Sequence, residues 1–451
     1  MTVSPRRRQE IVDALRRGTV PHGSLDAFAV GLERLEPVFR EELLAVKAGG
    51  AAFKACRGDY GCGKTFLARW LADRARRLGF ATAEVQVSET ETPLHRLETV
   101  YRRLCERLAT ADAPQGALRN LIDGWIYALE QDALAEGGAG DEGELLARTD
   151  RLMEQRLARV TAAAPTFGTA LRGYRRAQVA GDAATADAIL AWLAGQPNVA
   201  AAAKRAAGVK GEIDHFGALT FLQGLLTVVR DSGGAGLLVV LDEVETLQRV
   251  RGDVRDKGLN ALRQLIDEVD GGRFPGLYLL VTGTPAFFDG PQGVRRLEPL
   301  AQRLHVDFRT DARFDNPRAV QVRLAAFDLD RLAAVGCRVR EIYRQHGPAA
   351  DRVARLCDDA YVRDLAAAVA GMLGGRVGIA PRVFLKKLVA DVLDRVEQFP
   401  DFDPRRDYAL TVTEGELTAA ERAAAQAADV DDIELGDEPP AKTQRRDVGD
   451  E

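Results

Sequence analysis

Gly58-Asp59-Tyr60-Gly61-Cys62-Gly63-Lys64-Thr65 fits G-x-x-x-x-G-K-[ST], a loop that wraps the phosphates of a nucleotide. It works only between a strand and a helix. The glycines let the loop curl so that backbone N–H groups converge on phosphate oxygens, while the following helix offers the positive end of its dipole. The flanks supply that setting. Ala51 to Cys56 reads as a short buried strand, and Phe66 to Leu78 carries helical apolar spacing at Phe66, Leu67, Trp70, Leu71 and Leu78. Lys64 is one of only nine lysines among 62 basic residues. It is expected to reach the β and γ phosphates of ATP or GTP. Thr65 is expected to place its hydroxyl on Mg²⁺, a hard cation that prefers oxygen ligands. Residues 58–66, from Gly58 through Asp59, Tyr60, Gly61, Cys62 and Gly63 to Phe66, form the expected nucleotide-binding set.

A chain of 451 residues, 46% hydrophobic and 29% charged, has the length for two or three globular domains. It has no run of about 18 apolar residues, and its basic N-terminus lacks an apolar signal region, so a cytoplasmic protein is expected. The five cysteines (Cys56, Cys62, Cys105, Cys337, Cys357) form no C-x-x-C pair and are odd in number. Neither a zinc site nor a disulfide framework is indicated. A net charge of -5 argues against wholesale coating of nucleic acid and leaves room for a local basic strip.

Two helical stretches precede the loop, one around Ile11 to Leu15 and one from Leu32 to Leu44, separated by Gly18-Thr19-Val20-Pro21. Beyond the first helix of the core, Ala81 to Ser88 reads as a second strand, and the next strongly apolar strand begins at Gly236. The 147 residues between them, 89–235, far exceed a crossover helix and predict an insertion. Amphipathic stretches at 94–108, 118–134, 145–160 and 183–193, with an alanine-rich run at 200–207, make it helical, interrupted by Gly137-Gly138-Ala139-Gly140, Pro165 and Pro197. Its expected role is either a lever or docking arm, or a packing elaboration. From Asp311 onward helices dominate, with one strand-like piece at Val320 to Leu324, predicting a smaller second domain. Residues 431–451 hold eight acidic and three basic residues and few apolar ones, and are expected to be disordered. The chain therefore divides into segments 1–47, 48–310 with an insertion at about 94–230, 311–430 and 431–451.

Leu237-Leu238-Val239-Val240-Leu241-Asp242-Glu243 is an apolar strand ending in two carboxylates. Asp242 is placed to hold the Mg²⁺ ion, and Glu243 to orient and deprotonate the water that attacks the γ-phosphate. An Asp-Glu pair after a strand also serves as a helix N-cap. The strand Leu277 to Val281 ends in Thr282-Gly283-Thr284-Pro285. If it lies between the phosphate-loop strand and the carboxylate strand, Thr282 or Thr284 can bond the attacking water or the γ-phosphate; otherwise both serve the turn. Among Arg295, Arg296 and Arg303, Arg303 is the first candidate for an arginine supplied across a subunit boundary. Arg382, just inside a helix start in the second domain, is a further candidate for the phosphates.

This order of strand, phosphate loop, carboxylate strand, polar-tipped strand, arginines and helical lid resembles the AAA+ ATPases, closest to the branch of the origin-recognition initiators. Leu15 to Pro21, Arg57 to Leu67 and Ser88 to His95 more narrowly resemble the ATP-binding proteins of BREX bacteriophage-defence clusters, of the BrxD type, over residues from about 6 to about 400. The resemblance implies an α/β P-loop NTPase with a parallel sheet core, a large helical insertion and a C-terminal helical lid. It implies a homo-oligomeric ATPase using ATP and Mg²⁺, encoded beside a helicase and acting on or near DNA, and it places Val20 and Pro21 against the adenine. BREX relatives carry a small residue at the position of Cys62, which leaves backbone phosphate contacts undisturbed. Origin-recognition initiators carry a winged-helix domain after the lid, whereas about 35 residues lie between Val396 and the acidic tail, too few for a typical domain. A grip on DNA would then come from the core, the insertion or a partner. A DNA-associated helicase loader or regulator is the first functional expectation. A partner-gated nucleotide switch is the second, and a pseudo-ATPase scaffold is disfavoured by the intact Lys64, Asp242 and Glu243.

Overall fold

The computed structural model describes residues 2–137, 142–158, 165–373, 381–417 and 422. Five strands, β1 (Ala52–Arg57), β2 (Phe80–Gln86), β3 (Gly236–Asp242), β4 (Leu277–Gly283) and β5 (Gln321–Arg323), form one sheet in the order β2-β3-β4-β1-β5. Every pairing is parallel. Parallel strands need crossover connections and so have helices on both faces, which is why β3 and β4 are largely apolar up to the polar residues at their carboxyl ends and are buried at every residue.

Successive residues of a strand point to opposite faces. Leu237, Val239 and Leu241 of β3 join one core with the insertion helices and with Gly252–Asp270. Leu238 and Val240 join a second core with the loop helix Lys64–Arg77, the N-terminal helices and the C-terminal ones. The expected α/β architecture with a parallel sheet is observed.

Among the described residues the insertion is built of helices joined by short loops: Leu97–Glu106, Leu118–Gly137, Glu142–Arg156, Pro165–Val179, Ala183–Leu193, Ala201–Ala207 and His215–Asp231. Pro165 was expected to interrupt helix and instead opens one. At the first helical position its missing N–H is not needed and its fixed φ suits the turn. The helix His215–Asp231, capped by the Asp214 carboxylate accepting from the Gly217 N–H, returns the chain to β3.

The piece at Val320 to Leu324 is the edge strand β5, paired with β1 through Ala55↔Gln321 to Arg57↔Arg323, so the core sheet extends past residue 310. The helices Leu329–Arg344 and Pro381–Lys386 then pack on the N-terminal helix Pro5–Arg16, with Ala350–Leu356 and Asp359–Met372 packed against Leu329–Arg344 in the same core. Arg16 binds Asp394 through two guanidinium nitrogens, at 2.6 and 2.9 Å, and the Tyr343 hydroxyl lies 2.8 Å from the same carboxylate. The first helix is thus clamped to the C-terminal helices. The acidic segment 431–451 lies outside the described residues.

Candidate nucleotide site

The phosphate loop sits where β1 meets the helix Lys64–Arg77, at the carboxyl end of the sheet. Its shape depends on glycine at two positions. A Cβ on Gly58 would collide with Cys62 Sγ, and Gly63 lies at φ +97°, where side chains are strained. Cys62 is buried, and burial pushes its thiol up to about 11, which leaves it protonated and unreactive.

Lys64 Nζ donates to the carbonyls of Gly58 (2.9 Å) and Asp59 (3.2 Å), under the ring of Tyr60. The Thr65 hydroxyl donates to Asp242 Oδ2 at 2.9 Å, and the Thr282 hydroxyl donates to Asp242 Oδ1. That juxtaposition follows from topology. β4 lies between β1 and β3, so the tip of the threonine strand abuts both the loop and the carboxylate strand. Thr284 goes elsewhere: it caps the helix Pro285–Asp289, its hydroxyl accepting from the Phe287 N–H at 3.3 Å.

Glu243 leaves β3 in a left-handed conformation, φ +60° and ψ 44°, which is uncommon for a residue with a side chain. Its N–H donates to Asp242 Oδ1 and Thr282 Oγ1, at 3.2 and 3.3 Å. Its carboxylate accepts from Gln86 Nε2 at 2.8 Å, Gln86 being the residue of β2 paired with Asp242. Two further acceptors and donors went unread in the sequence. Glu245 is buried, with Oε1 3.7 Å from Lys64 Nζ, and burial pushes its carboxyl up to about 7 against the pull of that ammonium. Gln86 is the other.

A cavity of about 330 Å³ opens beside the loop. It is lined by residues 60–66 of the loop with Glu243 and Glu245, and by an apolar wall of Val20, Pro21, Phe28 and Phe327. Phe28 and Phe66 meet edge to face at 5.3 Å. The loop helix holds the segment carrying Val20 in place. Arg69 donates to the Val20 carbonyl at 2.6 Å, and the Trp70 indole N–H donates to Asp26 at 2.8 Å. Arg382 reaches the cavity from the C-terminal helices, donating to the Glu416 carbonyl at 2.6 Å, and Arg331 lines it as well. Arg303 does not line it: it pairs with Asp267 (2.7 Å) and Asp270 (3.0 Å) on the helix Gly252–Asp270. Arg295 is exposed, and Arg296 is paired with Asp256.

An apolar slot running into a loop of backbone N–H groups, lysine and paired hydroxyl and carboxylate suits a nucleoside polyphosphate. The BREX system ATP-binding protein BrxC/D family matches residues 3–412. The chain belongs to that family. The expected BREX kinship is thereby established, and with it an ATP-binding role for the phosphate loop's protein. No curated protein and no solved structure matches the BREX-family chain. Among its described residues no helix is long and apolar enough to cross a membrane.

Proposed function

We propose that this BREX ATP-binding protein hydrolyses ATP as an AAA+-type, BrxD-like cytoplasmic ATPase, acting on DNA or with a partner helicase as its loader or regulator. The observation that carries the hydrolytic part is the hydrogen-bonded meeting of Thr65, Asp242, Thr282 and Glu243, of which Thr65 and Glu243 line the cavity. The paired hydroxyl and carboxylate fit Mg²⁺. They are hard oxygen donors 2.9 Å apart. When bound, Mg²⁺ would neutralise charge on the phosphates. Asp242 and Thr65 would hold it, Lys64 would meet the β and γ phosphates, and Thr282 would keep Asp242 and the Glu243 backbone in register. Glu243 would take the proton of the attacking water. Arg382 would reach the phosphates from the C-terminal helices.

Arg303 lies away from the cavity of its own chain, which suits a role across a subunit boundary. Arg303→Ala is expected to leave ATP affinity within about twofold, while turnover that rises with assembly falls about a thousandfold. Hydrolysis measured against protein concentration, beside a binding isotherm, checks this; loss of binding would instead give Arg303 a role in its own chain.

A partner-gated switch is the second reading, and one observation favours it. Glu243 is held by Gln86, and Lys64 by two loop carbonyls and Glu245, so both key groups are engaged elsewhere. Steady-state ATP hydrolysis with and without single- and double-stranded DNA, alongside oligomeric mass in ATP and ADP, separates the two. Stimulation by DNA with ATP-dependent assembly supports the DNA-acting machine. Slow, DNA-indifferent turnover with retained nucleotide supports the switch.

A further inference from the structure

Glu245 is a buried carboxylate with no evident structural reason to be charged. It is 4% exposed, its Oε1 lies 3.7 Å from Lys64 Nζ, and its Oε2 is buried without a hydrogen-bond partner. Buried charges are retained where something compensates them. Here the compensation is one-sided, because Lys64 spends two donors on the carbonyls of Gly58 and Asp59. Both side chains line the cavity into which the phosphate loop faces.

We propose that Glu245 is a phosphate surrogate: in the nucleotide-free protein it serves as the counter-ion of Lys64, and it yields the lysine when a nucleoside di- or triphosphate binds. The inference rests on the reading that Lys64 meets the β and γ phosphates. Three consequences follow from charge alone. A buried ammonium without nucleotide would be costly, and the carboxylate keeps it charged and pre-aimed at the cavity. The same carboxylate adds a like charge beside an incoming polyphosphate and competes for its lysine, so it holds affinity below what the loop could deliver. AMP, lacking the phosphates that Lys64 meets, is indifferent to the exchange. Glu245 is thus a positioning residue that sets the threshold at which ATP and ADP are captured and released.

The test measures affinities of the full chain for ATP, ADP and AMP by calorimetry in Mg²⁺, for the wild type, Glu245→Gln, the apolar Glu245→Met and Lys64→Ala. Expected is a gain of about tenfold for ATP and ADP in Glu245→Gln, with AMP unchanged. A purely structural ion pair would weaken all three ligands when broken. A folded variant of either kind that binds ATP no more tightly than the wild type overturns the proposal, as does failure of both variants to fold, which would make Glu245 a structural partner. The Lys64→Ala arm keeps the two readings apart. If it binds ATP like the wild type, the phosphate site itself is misassigned; if it loses ATP and Glu245→Gln gains nothing, only the surrogate role fails.

Discussion

Replacing Glu243 by glutamine is expected to lower ATP turnover by a factor of about 10² to 10⁴ while ATP affinity stays within about twofold. The amide keeps the volume of the side chain and can still meet Gln86, whose Nε2 lies 2.8 Å from the carboxylate. It cannot accept a proton from water. The left-handed backbone at Glu243 and its N–H bonds to Asp242 and Thr282 are main-chain features, so the substitution leaves the geometry of the neighbouring ion site in place. Phosphate release followed at saturating ATP, with affinity measured on the same preparation, checks both halves. Turnover near that of the wild type would remove Glu243 as the base and turn attention to Glu245, the other carboxylate lining the cavity.

Trp125→Ala is expected to cost about 3–5 kcal/mol of stability. The indole is fully buried in the insertion, and its N–H donates to Asp231 Oδ2 at 2.7 Å, so truncation leaves both a void and an oxygen short of a partner. Trp125, Leu129 and Phe221 belong to the same continuous apolar core as Leu237, Val239 and Leu241 of β3. Loosening the insertion should therefore weaken the sheet with it. Urea unfolding followed by far-ultraviolet circular dichroism and by nucleotide binding should give coincident transitions, both moved to lower denaturant. A separate early transition, with nucleotide binding untouched, would mark the insertion as an independently folding arm.

Much of this site is legible in the residues themselves, and the limits have physical causes. The strands β3 and β4 are readable because burial on both faces of a parallel sheet demands long apolar runs, while β1, interrupted by Lys54, is readable through the phosphate loop it leads into. The phosphate loop is readable because its glycines answer to backbone geometry, as the clash awaiting any Cβ at Gly58 shows. The edge strand β5 spans three residues and carries little pattern of its own, so its place in the sheet emerges only from its pairing with β1. The helix Pro165–Val179 is masked by a proline that reads as a breaker unless its position in the first turn is known. Thr282 and Thr284 look equivalent in sequence. The register sets one against Asp242 and leaves the other as a helix cap.

Gln86 and Glu245 carry no sequence signal that singles them out. Gln86 ends a strand more than 150 residues before its partner Glu243, and only the β2–β3 pairing brings them together. Glu245 stands two residues beyond Glu243, a spacing that in a regular helix would send the two side chains apart. The left-handed turn at Glu243 breaks that regularity and lets both line one cavity. The visible signal was a third carboxylate in Asp242-Glu243-Val244-Glu245, without a chemical reason attached to it.

The claim at the centre of this account is that the cavity beside Gly58 to Thr65 binds ATP through Lys64. Calorimetric titration of the wild-type chain and of Lys64→Ala with ATP and Mg²⁺ tests it most directly. The account predicts saturable binding by the wild type and a loss of about 30-fold or more in the variant, the scale set by removing one partner of a buried charge pair. Equal affinity in the two proteins would contradict it.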